Sequence, residues 1–189
     1  MAHQPLDRVF IIETTKKWIE TVVIELNLCP FARVPFQQET IRFTLTESAN
    51  EQELLAALHA ELVFLHDNLD IETSLLIHPQ CLADFDDYNQ FLQIAENLLE
   101  DMGVTGIFQV ASFHPNYQFA DTNPGDAENY TNRSPFPMLH ILREASLSKA
   151  LQNYSDPEAI PQCNIERLQK MGAEEAQVLL HSCSNHRPE

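Results

Sequence analysis

This chain of 189 residues is poor in basic residues and in glycine: 11 lysines and arginines stand against 28 acids, and there are four glycines. From Phe43 to Asn132 there is no lysine or arginine, while sixteen acids fall in that stretch. A chain so charged repels phosphate backbones, so no nucleic-acid partner is expected. No apolar run approaches the roughly 18 residues that a spanning helix needs, so no membrane segment is expected either. The first residues, Met1-Ala-His-Gln-Pro-Leu-Asp-Arg8, lack the basic-then-apolar order of a secretory leader. Cys29, Cys81, Cys163 and Cys183 form no C-x-x-C pair, which points to reduced thiols in a cytoplasmic protein. Without C-x-x-C or H-x-x-x-H spacing we expect no closed metal shell, and no cofactor motif is read.

Apolar residues make up 44% of the chain, enough for a real core, and the length suits one domain. Residues 1–172 are expected to form it, with 173–189 a frayed helix and mobile tail. Helical periodicity marks residues 8–26, where Phe10, Ile12, Trp18, Ile19, Val22, Val23 and Leu26 share a face. Alternation marks a strand at 40–46. Asn50 with Glu53 signals a capped helix through Leu65. The run 73–77 reads as a strand buried on both faces, 84–102 as a helix closed by Gly103, and 104–113 as a third strand. Helices are expected from Ser134-Pro135 to about Leu151 and from Asp156-Pro157 to Met171. Strands alternating with helices predict an α/β domain with a small, mainly parallel sheet of three or four strands. An α+β arrangement with one antiparallel strand is the alternative.

Residues 114–134 show neither helical nor strand period, yet carry Tyr117, Phe119 and Tyr130 as anchors. Long loops in compact domains are usually functional or disordered, and aromatic content favours an ordered one. His114 opens this loop, and both His78 and His114 follow a strand and precede a proline. In a parallel sheet they lie at the carboxyl edge, where open α/β folds bind ligands and an imidazole serves as acid or base. The plainer alternative is a polar residue tolerated at a strand end. Ser134-Pro135 reads as a helix start with Arg133 beside it, an arrangement that favours an anion. On that helix His140, Arg143 and Glu144 would share a face, as a hydrogen-bonded pair or as part of a metal shell. Cys29 packs as a small apolar group more readily than it acts as a nucleophile, because it follows a helix carboxyl end. The segment from His181 to His186 has chelating side chains without closed-site spacing.

Three blocks stand out together: Asn27-Leu-Cys-Pro-Phe-Ala32, Phe113-His-Pro-Asn-Tyr-Gln-Phe-Ala120, and Asn129-Tyr-Thr-Asn-Arg-Ser-Pro135 running on to Leu139-His-Ile-Leu-Arg-Glu144. In these blocks the chain resembles the bacterial family called domain of unknown function 1415, over about residues 8–172. That resemblance implies no activity, cofactor or catalytic residue. From the residues alone the leading expectation is an enzyme acting on a small anionic ligand. His114 is its acid/base, and Arg133, Ser134, Tyr117, Asn129, Asn132 and Arg143 form its pocket. Cys29, His78, His140 and Glu144 are secondary candidates. A non-catalytic sensing or docking module, and a metal site built from His114, His140, Glu144 and a loop aspartate, are the alternatives. Neither the oligomeric state nor the substrate is legible.

Overall fold

A computed structural model describes residues 7–152 and 156–185. Helix α1 (Arg8–Trp18) is capped by Asp7, whose carboxylate accepts from the Phe10 N–H at 3.0 Å. It continues as a π-helical segment (Ile19–Ile24), with Glu25 N donating to Glu20 O and Leu28 N to Val23 O. The wider turn holds one more residue than an α turn, so Trp18, Ile19, Val22, Val23 and Ile24 are all buried. After a loop come α2 (Arg33–Gln37), β1 (Ile41–Leu45), α3 (Glu51–Asp67), β2 (Thr73–Ile77), α4 (Phe85–Asp101) and β3 (Phe108–Phe113). Asn50 caps α3 by accepting from Glu53 N, and Gly103 follows α4 at φ 67°.

The structure is a single mixed α and β domain with a four-stranded sheet, in the order β1-β2-β4-β3. The fourth strand is β4 (Met138–Arg143), and it replaces the first part of the helix expected from Ser134. Strands β1 and β2 pair in parallel, while β4 pairs antiparallel with both β2 and β3. The three strands legible in the sequence therefore run one way, and the added strand runs against them in their midst. The pairing is thus not mainly parallel; it matches the alternative with one antiparallel strand.

Both faces of the sheet are covered. On one, α3 and α4 bury Leu58, Leu62, Tyr88 and Phe91 against Leu76, Leu139 and Ile141. On the other, α1 with its π segment, α6 (Ile160–Met171) and α7 (Ala173–Ser182) pack on Leu75, Ile77 and Met138. Residues 173–182, where a helical piece is expected, form α7, and its Ala176 and Leu180, with Cys183 just beyond, are buried in that core. Residues 186–189, including His186, lie outside the described residues. Helix α5 (Glu144–Gln152) leaves directly from β4. Among the described residues no helix is long and apolar enough to cross a membrane.

Candidate functional site

The carboxyl edge of the sheet holds both expected histidines, and both are fully buried. His114 Nδ1 accepts from Asn116 N at 3.0 Å, and its Nε2 faces Leu82 O at 3.1 Å, a bond that this ring nitrogen must donate. Its two ring nitrogens are thus committed to main chain, and burial lowers its pKa. His78 donates from Nδ1 to Cys81 O at 3.0 Å, and its Nε2 is buried without a partner. Burial pushes its pKa down to about 4. Between them the Tyr88 hydroxyl donates to Met138 O and accepts from Phe113 N, bolting β4 to β3. Burial raises the pKa of that phenol.

The polar residues of the long loop are spent on the loop itself. Asn129, fully buried, accepts from Phe119 N and Thr122 Oγ1 and donates to Asn123 O. Asn132 donates to Ser112 O, and Tyr117 accepts from Ser112 Oγ at 3.5 Å while packing on Phe85 and Phe119. Arg133 donates to Tyr117 O and Pro124 O, and its guanidinium lies 4.5 Å from the centre of the Tyr130 ring. The helix start expected beside Arg133 is corrected here. No helix starts at Ser134, whose hydroxyl donates to Phe136 O, because Pro135 and Pro137 hold the chain extended into β4. His114 and Arg133 are neighbours through the bond from His114 N to Asn132 O, and neither lines the cavity described below.

Arg143 and His140 also change meaning once they sit on a strand. Arg143 donates to Ile71 O, Leu65 O and Asn68 O, closing the carboxyl end of α3 with a cation. The shared helical face with His140 and Glu144 does not exist, since Glu144 begins α5. Among the described residues no three His, Cys, Asp or Glu side chains gather as a metal shell, so the ligand set of the metal-site alternative is not assembled.

His140 instead opens onto a cavity of about 590 Å³ between the sheet and the amino-terminal helix. Trp18, Ile19 and Val23 form one wall, Leu75, Phe113 and His140 the sheet floor, and the Cys29–Ala32 loop with α2 and α5 the remainder. The lining is mostly apolar, with Glu72, Arg143 and Lys149 as its charged members. Thr73 Oγ1 donates to Ile141 O at 2.6 Å and lies 2.6 Å from His140 Nε2. A hydroxyl has one hydrogen, so His140 must be the donor in the second bond. That assigns the Nε2–H tautomer and leaves Nδ1 an acceptor without a hydrogen bond among the described residues. Burial pushes the His140 pKa down to about 4, so the ring is neutral near pH 7.

Cys29 shares this cavity. Its loop leaves the π segment through Asn27 at φ 49°. Helix α6 holds it there: Asn164 donates to Leu28 O at 2.8 Å, and Arg167 donates to Leu26 O and Asn27 O. Burial raises the thiol's pKa, opposed by the N–H groups of Phe31 and Ala32. The result is a neutral thiol, not a standing thiolate. Trp18, Thr73 and Phe113 join the site only in the structure; in the sequence Trp18 reads as part of a helix face and Phe113 as part of a block. The chain's sole tryptophan, donating from its indole N–H to Arg133 O at 3.1 Å, was the available signal.

The family model described as "Protein of unknown function (DUF1415)" matches residues 10–178. The chain belongs to this family. No curated protein and no solved structure matches the chain. In this DUF1415 chain every cavity-lining residue falls inside the matched span. The block from Asn27 to Ala32 supplies part of the cavity wall, and the block from Leu139 to Glu144 supplies His140 on its floor. Only Phe113 of the middle block reaches the cavity; its remaining residues build the loop.

Proposed function

We propose that this protein binds a small organic molecule in the cavity floored by His140, and that His140 exchanges a proton with it if the molecule is turned over. This keeps histidine acid–base chemistry and moves it from His114, whose ring nitrogens are occupied, to a ring with a bare nitrogen. The observation that carries the reading is that nitrogen: an acceptor without a partner among the described residues, on a ring that lines a largely apolar cavity. Ligand sites are typically cavities of about 300–1,000 Å³, mostly apolar, with a few placed polar groups. The π-helical wall agrees, because such inserted turns recur at functional sites.

The test is a thermal-shift screen of small metabolites against wild type and Ala111→Trp, which places an indole on the cavity floor. Molecules that raise the melting temperature of wild type and not of the variant support the reading. Mass spectrometry of those mixtures then separates turnover from binding alone. Hits that stabilise both proteins equally place the ligand elsewhere and sink the proposal.

A further inference from the structure

We infer that the cavity selects an uncharged aromatic molecule bearing one hydroxyl or N–H donor, which packs beside Trp18 and Phe113 and donates to His140 Nδ1. This rests on the cavity reading above and adds the ligand's chemical class. The hydrogen count at Thr73 carries it. Because the threonine hydroxyl donates to Ile141 O, the imidazole spends its only hydrogen on Thr73 and shows the ligand a lone pair. A carboxylate arriving there meets lone pair against lone pair. It could bind only by protonating a ring whose burial holds it neutral near pH 7. A pure hydrocarbon fits the apolar walls but strips water from Nδ1 without replacing it, which costs binding energy.

The charged lining residues do not rescue an anion. The Arg143 guanidinium is turned to the carbonyls of Ile71, Leu65 and Asn68, while Glu72 and Lys149 bring opposite charges. The Cys29 thiol is neutral. Ring geometry gives the aromatic preference. Trp18 and Phe113 meet edge-to-face with centroids 5.2 Å apart, and Phe113 lies 6.1 Å from the His140 ring. A third ring beside this cluster gains edge and offset contacts beyond its buried area.

The experiment titrates three probes of matched shape, 4-ethylphenol, 4-ethyltoluene and 4-ethylbenzoate, into the full chain. Binding is read as quenching of Trp18, the only tryptophan present. In wild type the phenol should bind about tenfold tighter than the hydrocarbon, one hydrogen bond's difference, and the benzoate weakest. In His140→Phe the preference for phenol over hydrocarbon should collapse. Thr73→Val, which frees the ring to turn its N–H to the ligand, should instead narrow the gap between phenol and benzoate, since a carboxylate accepts from that N–H, and it serves alone if the histidine variant does not fold. Hydrocarbon or benzoate binding wild type as tightly as the phenol overturns the ligand class and leaves the cavity reading standing. A rise in melting temperature with the phenol that persists in Ala111→Trp, a readout that the added indole does not confuse, overturns the cavity reading itself. No binding by any probe overturns the inference, and the metabolite screen then decides the cavity reading separately.

Discussion

The long loop and the cavity divide the molecule's polar chemistry unequally. Residues 114–134 hold a histidine, an arginine, asparagines and tyrosines, yet nearly every donor and acceptor there closes onto the main chain. The cavity holds few polar groups, and one of them, His140 Nδ1, is unspent. A loop of 21 residues whose regular structure is one short 3-10 helix, Ala127–Thr131, has many backbone groups to satisfy, and its side chains do that work. Chemical richness in a sequence therefore marks self-satisfied structure as readily as it marks a site. The useful discriminator is a polar atom left over.

Four experiments strain this contrast, from the largest expected effect to the smallest. Asn129→Ala removes three bonds from a fully buried side chain, so unfolding in urea should show a loss of about 3 kcal/mol. Affinity for a cavity ligand should survive wherever the variant is folded; an affinity loss without a stability loss would make Asn129 a binding residue after all.

Acid comes next. His78 and His140 are held at about 4, below the ordinary 6.5, so the unfolded chain binds more protons between those values. Stability should be complete above about pH 6.5, fall steadily as pH drops towards 4, and flatten below. Denaturation across that window checks the slope, and His78→Phe should remove part of it. A flat profile contradicts the burial of both rings.

Arg133→Ala should cost about 1.5 kcal/mol, because Tyr117 O and Pro124 O lose a charged donor. Arg133→Lys should recover only part of this, since an ammonium lacks the planar fork that reaches both carbonyls over the Tyr130 ring. If added phosphate or carboxylates stabilise wild type and not Arg133→Ala, the loop is an anion site and the contrast fails. The smallest signal concerns thiols. Cys163 is exposed and should be alkylated at once, Cys81 and Cys183 only on unfolding, and Cys29 slowly. A cavity ligand should slow Cys29 further and leave Cys163 unchanged.

Much of the fold was legible because its elements obey one period each. Helices α3 and α4 show clear caps, and β2 is a short apolar run, buried on both faces as expected. Strand β4 was not legible for a related reason. It too is covered on both faces, so Met138, Leu139 and Ile141 follow no strand alternation, and His140, Arg143 and Glu144 mimic helical spacing. Ser134-Pro135 then imitates a helix start. The candidate site is obscured for the same reason. His140 reads as a helix position in the sequence, and its partner Thr73 lies 67 positions away, beyond any local pattern. Cys29 stood out as part of a block; that it shares a cavity with His140 depends on the π segment, which leaves no periodic trace.

The place of β4 also governs when this sheet can exist. During synthesis β1 and β2 emerge and pair, but β3 has no neighbour until Arg143 has appeared, because β4 alone contacts it in the sheet. The growing chain must carry β3 and one open edge of β2 unpaired while the intervening loop is made. Unpaired edges are where nascent chains stick to one another. The acids between Phe43 and Asn132, with no cation among them, cover this waiting period with mutual repulsion. The charge that looked like a property of the finished surface also protects the unfinished one.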